Sequence, residues 1–160
     1  MDKLLIQNAR VYQDGHFITA DVLCVDSLIA KIGQNLEAED AQVIDAGGMR
    51  IIPGLIDVHT HGAAGVDVNA ADEAGLRKIA AFFATQGVTA FHASVLTDTP
   101  ETTEGCLGAI ASVMRDRGKG AQLLGAHLEG PFLAKEYKGA MPEHLLREGD
   151  ENLLCDYQNK

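Results

Sequence analysis

The stretch IIPGLIDVHTHG, residues 51–62, decides the fold. Its first nine residues are almost continuously apolar, which predicts a strand covered on both faces, as in a parallel sheet. Alternate side chains leave a strand on opposite sides, so His59 and His61 point the same way at its end. Downstream, residues 72–86 place Leu76, Ile79, Ala80 and Phe83 on one helical stripe, with Asp72 as N-cap and Gly87 as the stop. GVTAFHASVL (87–96) is the next strand. Pro100 opens a second helix with Leu107, Ile110, Val113 and Met114 facing inward and Gly118 ending it. AQLLGAHLE (121–129) is a third strand, followed by a short Pro-led helix around 142–147 and a polar tail ending DYQNK.

Strand, helix, strand, helix, strand is the order of a parallel sheet or a (β/α) barrel. In such a barrel functional groups gather at the C-terminal ends of the strands. The pattern places His59, His61, His92 and Glu129 there. Upstream, residues 3–50 break into KLLIQNARVY, an Asp14-Gly15 turn, HFITADVLCV, SLIAKIG and QVIDAGG. Closely spaced short strands of this kind predict a small antiparallel sheet or half-sandwich. The fold class expected is therefore α/β: an incomplete TIM-like (β/α)8 barrel of three βα units over residues 51–160, preceded by part of a small β-sandwich over residues 1–50. A complete barrel needs roughly 250 residues.

Composition narrows the function. The 160 residues are 46% hydrophobic, enough for a packed core, and carry a formal net charge of −10 with no basic stripe. That excludes nucleic acid and an anionic membrane surface as partners. Cys24, Cys106 and Cys155 are odd in number and widely spaced, which fits reduced thiols in a cytoplasmic protein. The opening MDKLLIQNARVY lacks the uninterrupted apolar core of a signal peptide. No stretch approaches the roughly 20 apolar residues of a membrane helix.

Two imidazoles and a carboxylate at strand ends point to a hydrolytic metal centre, with His59, His61 and Glu129 as ligands. Asp57 lies two residues before the histidine pair, and Gly-Ala-Ala-Gly follows it, small residues that let backbone and ligand approach closely. Glu129 could instead cap a loop or pair with Lys135 or Lys138. His127 shares the strand face of Glu129, as a further ligand or as a donor behind the ligands that orients Glu129. His92 is a pocket residue or a neutral hydrogen-bonded histidine, and Cys106 and Met114 are core. Residues 135–141, KEYKGAM, form either a substrate loop offering backbone N–H groups from Gly139 and Ala140 or an ordinary solvated loop. No Ser-His-Asp order, P-loop or GxGxxG competes with the metal reading.

PGLIDVHTHG (53–62) resembles the first-strand motif of the amidohydrolase superfamily. GAHLEGPF (125–132) followed by KGAMPEHL (138–145) is narrower and resembles the N-acetylglucosamine-6-phosphate deacetylases, over essentially the whole chain. The resemblance implies a small β-sandwich built from both chain ends beside a metal-dependent barrel. It implies removal of acetate from N-acetylglucosamine 6-phosphate to give glucosamine 6-phosphate, with an amino-sugar phosphate as the small-molecule partner. By motif, Glu129 matches the family's metal-binding glutamate, and His59 and His61 match the pair used by members with a binuclear centre. One or two divalent ions are implied; zinc, iron and manganese all suit such ligands. Gly139, Ala140 and Met141 fall where the family's loop touches the sugar. Met141 departs from the family, in which a histidine or another polar residue often stands there. The family's general-base aspartate, two further histidine ligands and the phosphate-binding residues match positions downstream of Lys160. No residue here is thus assigned as catalytic, and residues 1–160 alone are expected to be inactive. Other readings are an N-acetylgalactosamine-6-phosphate deacetylase, a cyclic amidase, a deaminase, or a non-catalytic remnant. The open edge of a three-stranded parallel sheet would also allow a homodimer.

Overall fold

A computed structural model describes residues 2–116 and 118–160. The chain divides into two units, Met1–Pro53 and Gly54–Lys160. In the first, β1 (Lys3–Gln13) and β2 (His16–Val25) form a hairpin, followed by β3 (Leu28–Gly33), β4 (Gln42–Asp45) and the short β5 (Arg50–Ile51). The spatial order is β3-β2-β1-β4, with β5 also on β1. Asp14 and Gly15 both take positive φ, 50° and 83°, the tight turn whose twist suits a two-residue hairpin. Ala9, Val11, Ala20, Val22 and Ala46 are buried and pack into one cluster.

The expectation of a small antiparallel sheet or half-sandwich holds for β1, β2 and β3 and is corrected for the rest: β4 and β5 run parallel to β1. Residues 34–41 carry the chain from the β3 edge across to the β4 edge. Buried Leu36 anchors this crossing, its N–H donating to Asp21 Oδ2 at 3.0 Å. The second oxygen of Asp21 accepts the N–H of Asn8 at 2.9 Å, inside the β1 bulge. The Asn8 amide also donates to Asp45 Oδ1 at 3.0 Å. That bond, with the Gly47 N–H, holds the Asp45 carboxyl below the usual range.

The second unit contains β6 (Leu55–Thr60), a small hairpin of β7 (Gly62–Ala63) and β8 (Val66–Asp67), α1 (Glu73–Thr85), β9 (Val88–Leu96), α2 (Pro100–Arg115), β10 (Gln122–Glu129) and α3 (Glu151–Gln158). β6, β9 and β10 form a parallel sheet with β9 in the middle. Asp72 caps α1 by accepting the Gly75 N–H at 2.8 Å, and Thr99 caps α2 ahead of Pro100. Leu76, Ile79 and Phe83 of α1 and Cys106, Ile110 and Val113 of α2 pack with Phe91, Ala93 and Val95 of β9 into one core.

Several expectations change. Met114 lies off the buried stripe in the last turn of α2 and is exposed, and that helix ends at Arg115, before Gly118. The strand after Pro53 is not covered on both faces: Leu55, Ile56 and Val58 are exposed because β6 is an edge strand, paired only with β9 among the described residues. His92 lies inside β9, which runs on to Leu96, so it is not at the strand end. The Pro-led helix around 142–147 is a single 3-10 turn, Glu143–Leu145. The polar tail is helical instead: Asp150 Oδ1 accepts the Asn152 and Leu153 N–H groups, and Tyr157 is buried.

A candidate metal centre at the strand ends

β6 and β10 flank β9 in parallel, so all three strands end on one side of the sheet. There His59 Nε2 lies 3.1 Å from His61 Nε2 and 3.5 Å from Glu129 Oε2, and His61 Nε2 lies 3.1 Å from the same oxygen. Ligands about 2.0–2.1 Å from one tetrahedral ion stand about 3.3 Å apart. The triangle formed by these three atoms therefore has the size of one face of a coordination shell. Glu129 Oε2 is also buried and accepts no hydrogen bond among the described residues. A buried carboxylate oxygen without a donor is costly, and a cation in contact with it removes the cost. The donor set fits a divalent ion.

The surrounding structure aims these groups. His61 Nδ1 lies 3.2 Å from the carbonyl oxygen of Ser94. A carbonyl only accepts, so Nδ1 carries the proton and Nε2 presents its lone pair towards Glu129. The pairing of β6 with β9 slips by one residue between Asp57 and Thr60, which places His59 in a bulge. Its backbone N–H donates to Asp57 Oδ1 at 3.0 Å. After Glu129 the chain turns sharply at Gly130, φ +99°, whose peptide bond to Pro131 is cis. A Cβ at Gly130 would collide with Thr97 Oγ1, and that hydroxyl donates to the Glu129 carbonyl at 2.8 Å. Thr97 thus clamps the end of β10 to the end of β9.

Neither lysine offered as an alternative partner for Glu129 reaches it. Lys135 pairs with Glu143 at 2.6 Å, and Lys138 Nζ donates to the carbonyls of Met141 (2.9 Å) and Gly139 (3.4 Å). His127 makes no hydrogen bond to Glu129 among the described residues. Its Nδ1 lies 3.1 Å from Ser94 Oγ, and its ring centroid is 4.9 Å from that of His59. His92 is half-buried, across from Gly125 of β10. Gly139 and Ala140 are exposed, whereas Met141 is buried and its N–H closes a turn onto the Lys138 carbonyl. Ala140 and Met141 line a cavity of about 390 Å³ with Asn69, Thr97 and Asp98, which none of the three clustered residues lines.

Two positioning groups escaped the sequence reading. Ser94 is fully buried and serves His61 with its main chain and His127 with its side chain. Asn69 holds the end of β9, its Oδ1 accepting the Leu96 N–H at 2.8 Å and its Nδ2 donating to the Leu96 carbonyl at 3.1 Å. The only signal for Ser94 is a small polar residue inside FHASVL. Asn69 leaves none. Cys106 donates from its thiol to the Asn69 carbonyl at 3.4 Å. Burial, then the nearby Asp98 and Asp67 carboxylates, push that thiol's pKa up.

No family model matches the chain. It is 41% identical over 108 residues, 68% of its length, to the N-acetylglucosamine-6-phosphate deacetylase of Vibrio furnissii, of which the match covers 27%. It is 37% identical over 148 residues, 92% of its length, to the N-acetylgalactosamine-6-phosphate deacetylase of Escherichia coli O157:H7, of which it covers 38%. The crystal structure of N-acetylglucosamine-6-phosphate deacetylase from Pasteurella multocida matches 98% of the chain with a TM-score of 0.87 at 23% identity, over 42% of that chain. The chain thus spans well under half the length of these proteins. The curated relatives match it through their N-terminal part alone.

Proposed function

We propose that this chain is the N-terminal part of an N-acetylglucosamine-6-phosphate deacetylase. In this reading residues 51–160 are three βα units of a TIM-like (β/α)8 barrel and residues 1–50 are part of a small β-sandwich. The observation that carries the proposal is the convergence of His59 Nε2, His61 Nε2 and the hydrogen-bond-free Glu129 Oε2 at the strand ends. The relatives supply the substrate class, and the site supplies a chemistry that suits it.

A divalent ion held by these residues (zinc, iron or manganese) would activate water at neutral pH and polarise the acetamide carbonyl. The chain's own groups prepare that chemistry. Glu129 contributes negative charge where a cation sits, and the Ser94 carbonyl keeps the His61 lone pair on Nε2. The Gly139–Met141 loop is the proposed sugar contact, held in shape by Lys138. With a thioether at Met141, that contact is shape-selective rather than a strong hydrogen bond. The general base and remaining ligands belong, by family resemblance, to positions beyond residue 160. Among the described residues no helix is long and apolar enough to cross a membrane, and the cytoplasm is the proposed compartment. The Escherichia coli relative favours one second reading, the galactosamine epimer as substrate.

The test is metal analysis beside acetate release from both epimers, on residues 1–160 and on a polypeptide extended by the barrel units this reading calls for. The expected result is metal on both, and turnover of N-acetylglucosamine 6-phosphate by the extended chain only. Absence of acetate from both epimers with the extended chain rejects the proposal, and faster release from the galactosamine epimer replaces the substrate.

A further inference from the structure

His59 and His61 are held by different means. His61 has a hydrogen bond from Nδ1 to a buried carbonyl. His59 has no bond to its Nδ1 among the described residues, its side chain is 50% exposed, and it sits in a bulge on an edge strand. A bulge leaves the local ladder broken, so the backbone alone fixes its side chain less well than a regular strand would. Apart from the neighbouring His61, the ring found against it is that of His127, at 4.9 Å between centroids and tilted by 51°.

His127 itself is anchored. In the parallel register of β10 on β9 it stands directly opposite Ser94, and its Nδ1 meets the Ser94 hydroxyl at 3.1 Å. Ser94 is 0% exposed, in the central strand of the sheet. Building on the proposed metal site, we infer that His127, pinned by the Ser94 hydroxyl, is a positioning residue whose ring forms the wall that keeps the His59 imidazole aimed at Glu129. It acts on metal affinity through His59 and not as a ligand. The shape of the ring matters to His59, and its nitrogen matters only for the anchor.

Cobalt(II) and zinc(II) titrations of the 160-residue chain test this, with the cobalt visible spectrum as the report on ligand geometry. His127→Ala is expected to weaken binding about 10- to 100-fold, the usual loss when an outer support of a ligand is removed, and to change the cobalt spectrum. His127→Phe keeps the wall and is expected to stay within about threefold of the unmodified chain, with Ser94→Ala in between. An unchanged affinity and spectrum in His127→Ala overturns the inference. So does a His127→Phe loss as large as that of His127→Ala, which would make the nitrogen a ligand. Circular dichroism and metal-free melting accompany each variant. If His127→Ala fails to fold, Ser94→Ala decides, since it leaves the ring in place and an unchanged spectrum there refutes the anchor. If the unmodified chain binds neither ion, the metal-centre reading itself fails and takes this inference with it.

Discussion

β6 and β9 lie side by side in one parallel sheet and read alike in the sequence, yet Val58 on β6 is 65% exposed and Val95 on β9 is 1% exposed. β9 has a strand at each edge, and α1 and α2 pack against it. β6 has one strand neighbour among the described residues. An apolar run therefore identifies a strand, while burial depends on what pairs with it and covers it. The candidate site draws on both situations. His59 comes from the exposed edge strand, and the Ser94 supports come from the buried centre. A fixed strand thus disciplines a free one.

The comparison is open to direct attack. The largest effect is expected from Phe91→Ala, which empties the fully buried centre of β9 between α1 and its neighbours. A loss of about 3–5 kcal/mol in urea unfolding is expected. A smaller value would mean that the second unit relaxes around the cavity and that β9 is not its rigid centre. Next is the matched pair. Val95→Ala is expected to cost about 2 kcal/mol, and Val58→Ala no more than about 0.5 kcal/mol. Equal costs would show that β6 is covered in solution. The smallest effect concerns Cys106, whose pKa is raised chiefly by burial. A folded thiol with a raised pKa contributes stability that is complete below the ordinary thiol range and is lost as pH climbs from there through the raised value. Cys106→Ser is therefore expected to flatten the alkaline end of the stability–pH profile. Iodoacetamide should modify the exposed Cys155 well before Cys106.

What was legible in the sequence was local. Asp72 and Pro100 carry helix starts in their own chemistry, and Asp14-Gly15 carries a hairpin. The strand-end grouping of His59, His61 and Glu129 followed from placing motifs at the ends of neighbouring parallel strands, although the bulge at His59 breaks the regular alternation that suggested it. What was not legible depends on partners remote in sequence. The parallel direction of β4 needs the crossing anchored by Leu36 on Asp21. The exposure of Leu55, Ile56 and Val58 needs the strand order. The α3 helix was hidden because its polar surface outweighs the single buried Tyr157 that docks it. Ser94 was hidden because half of what it does belongs to a backbone atom, which has no letter in the sequence.

That last point bears on how such a site drifts and how it is surveyed. An ordinary substitution at position 94 keeps the carbonyl that His61 leans on, so an alanine scan can read only the hydroxyl's share. Were the position to change to another small residue without a hydroxyl, His61 would keep its hydrogen-bond partner, while His127 would lose its tether. One residue thus carries one contact exposed to mutation and one sheltered from it. A count of tolerated substitutions at position 94 would understate its importance to the site.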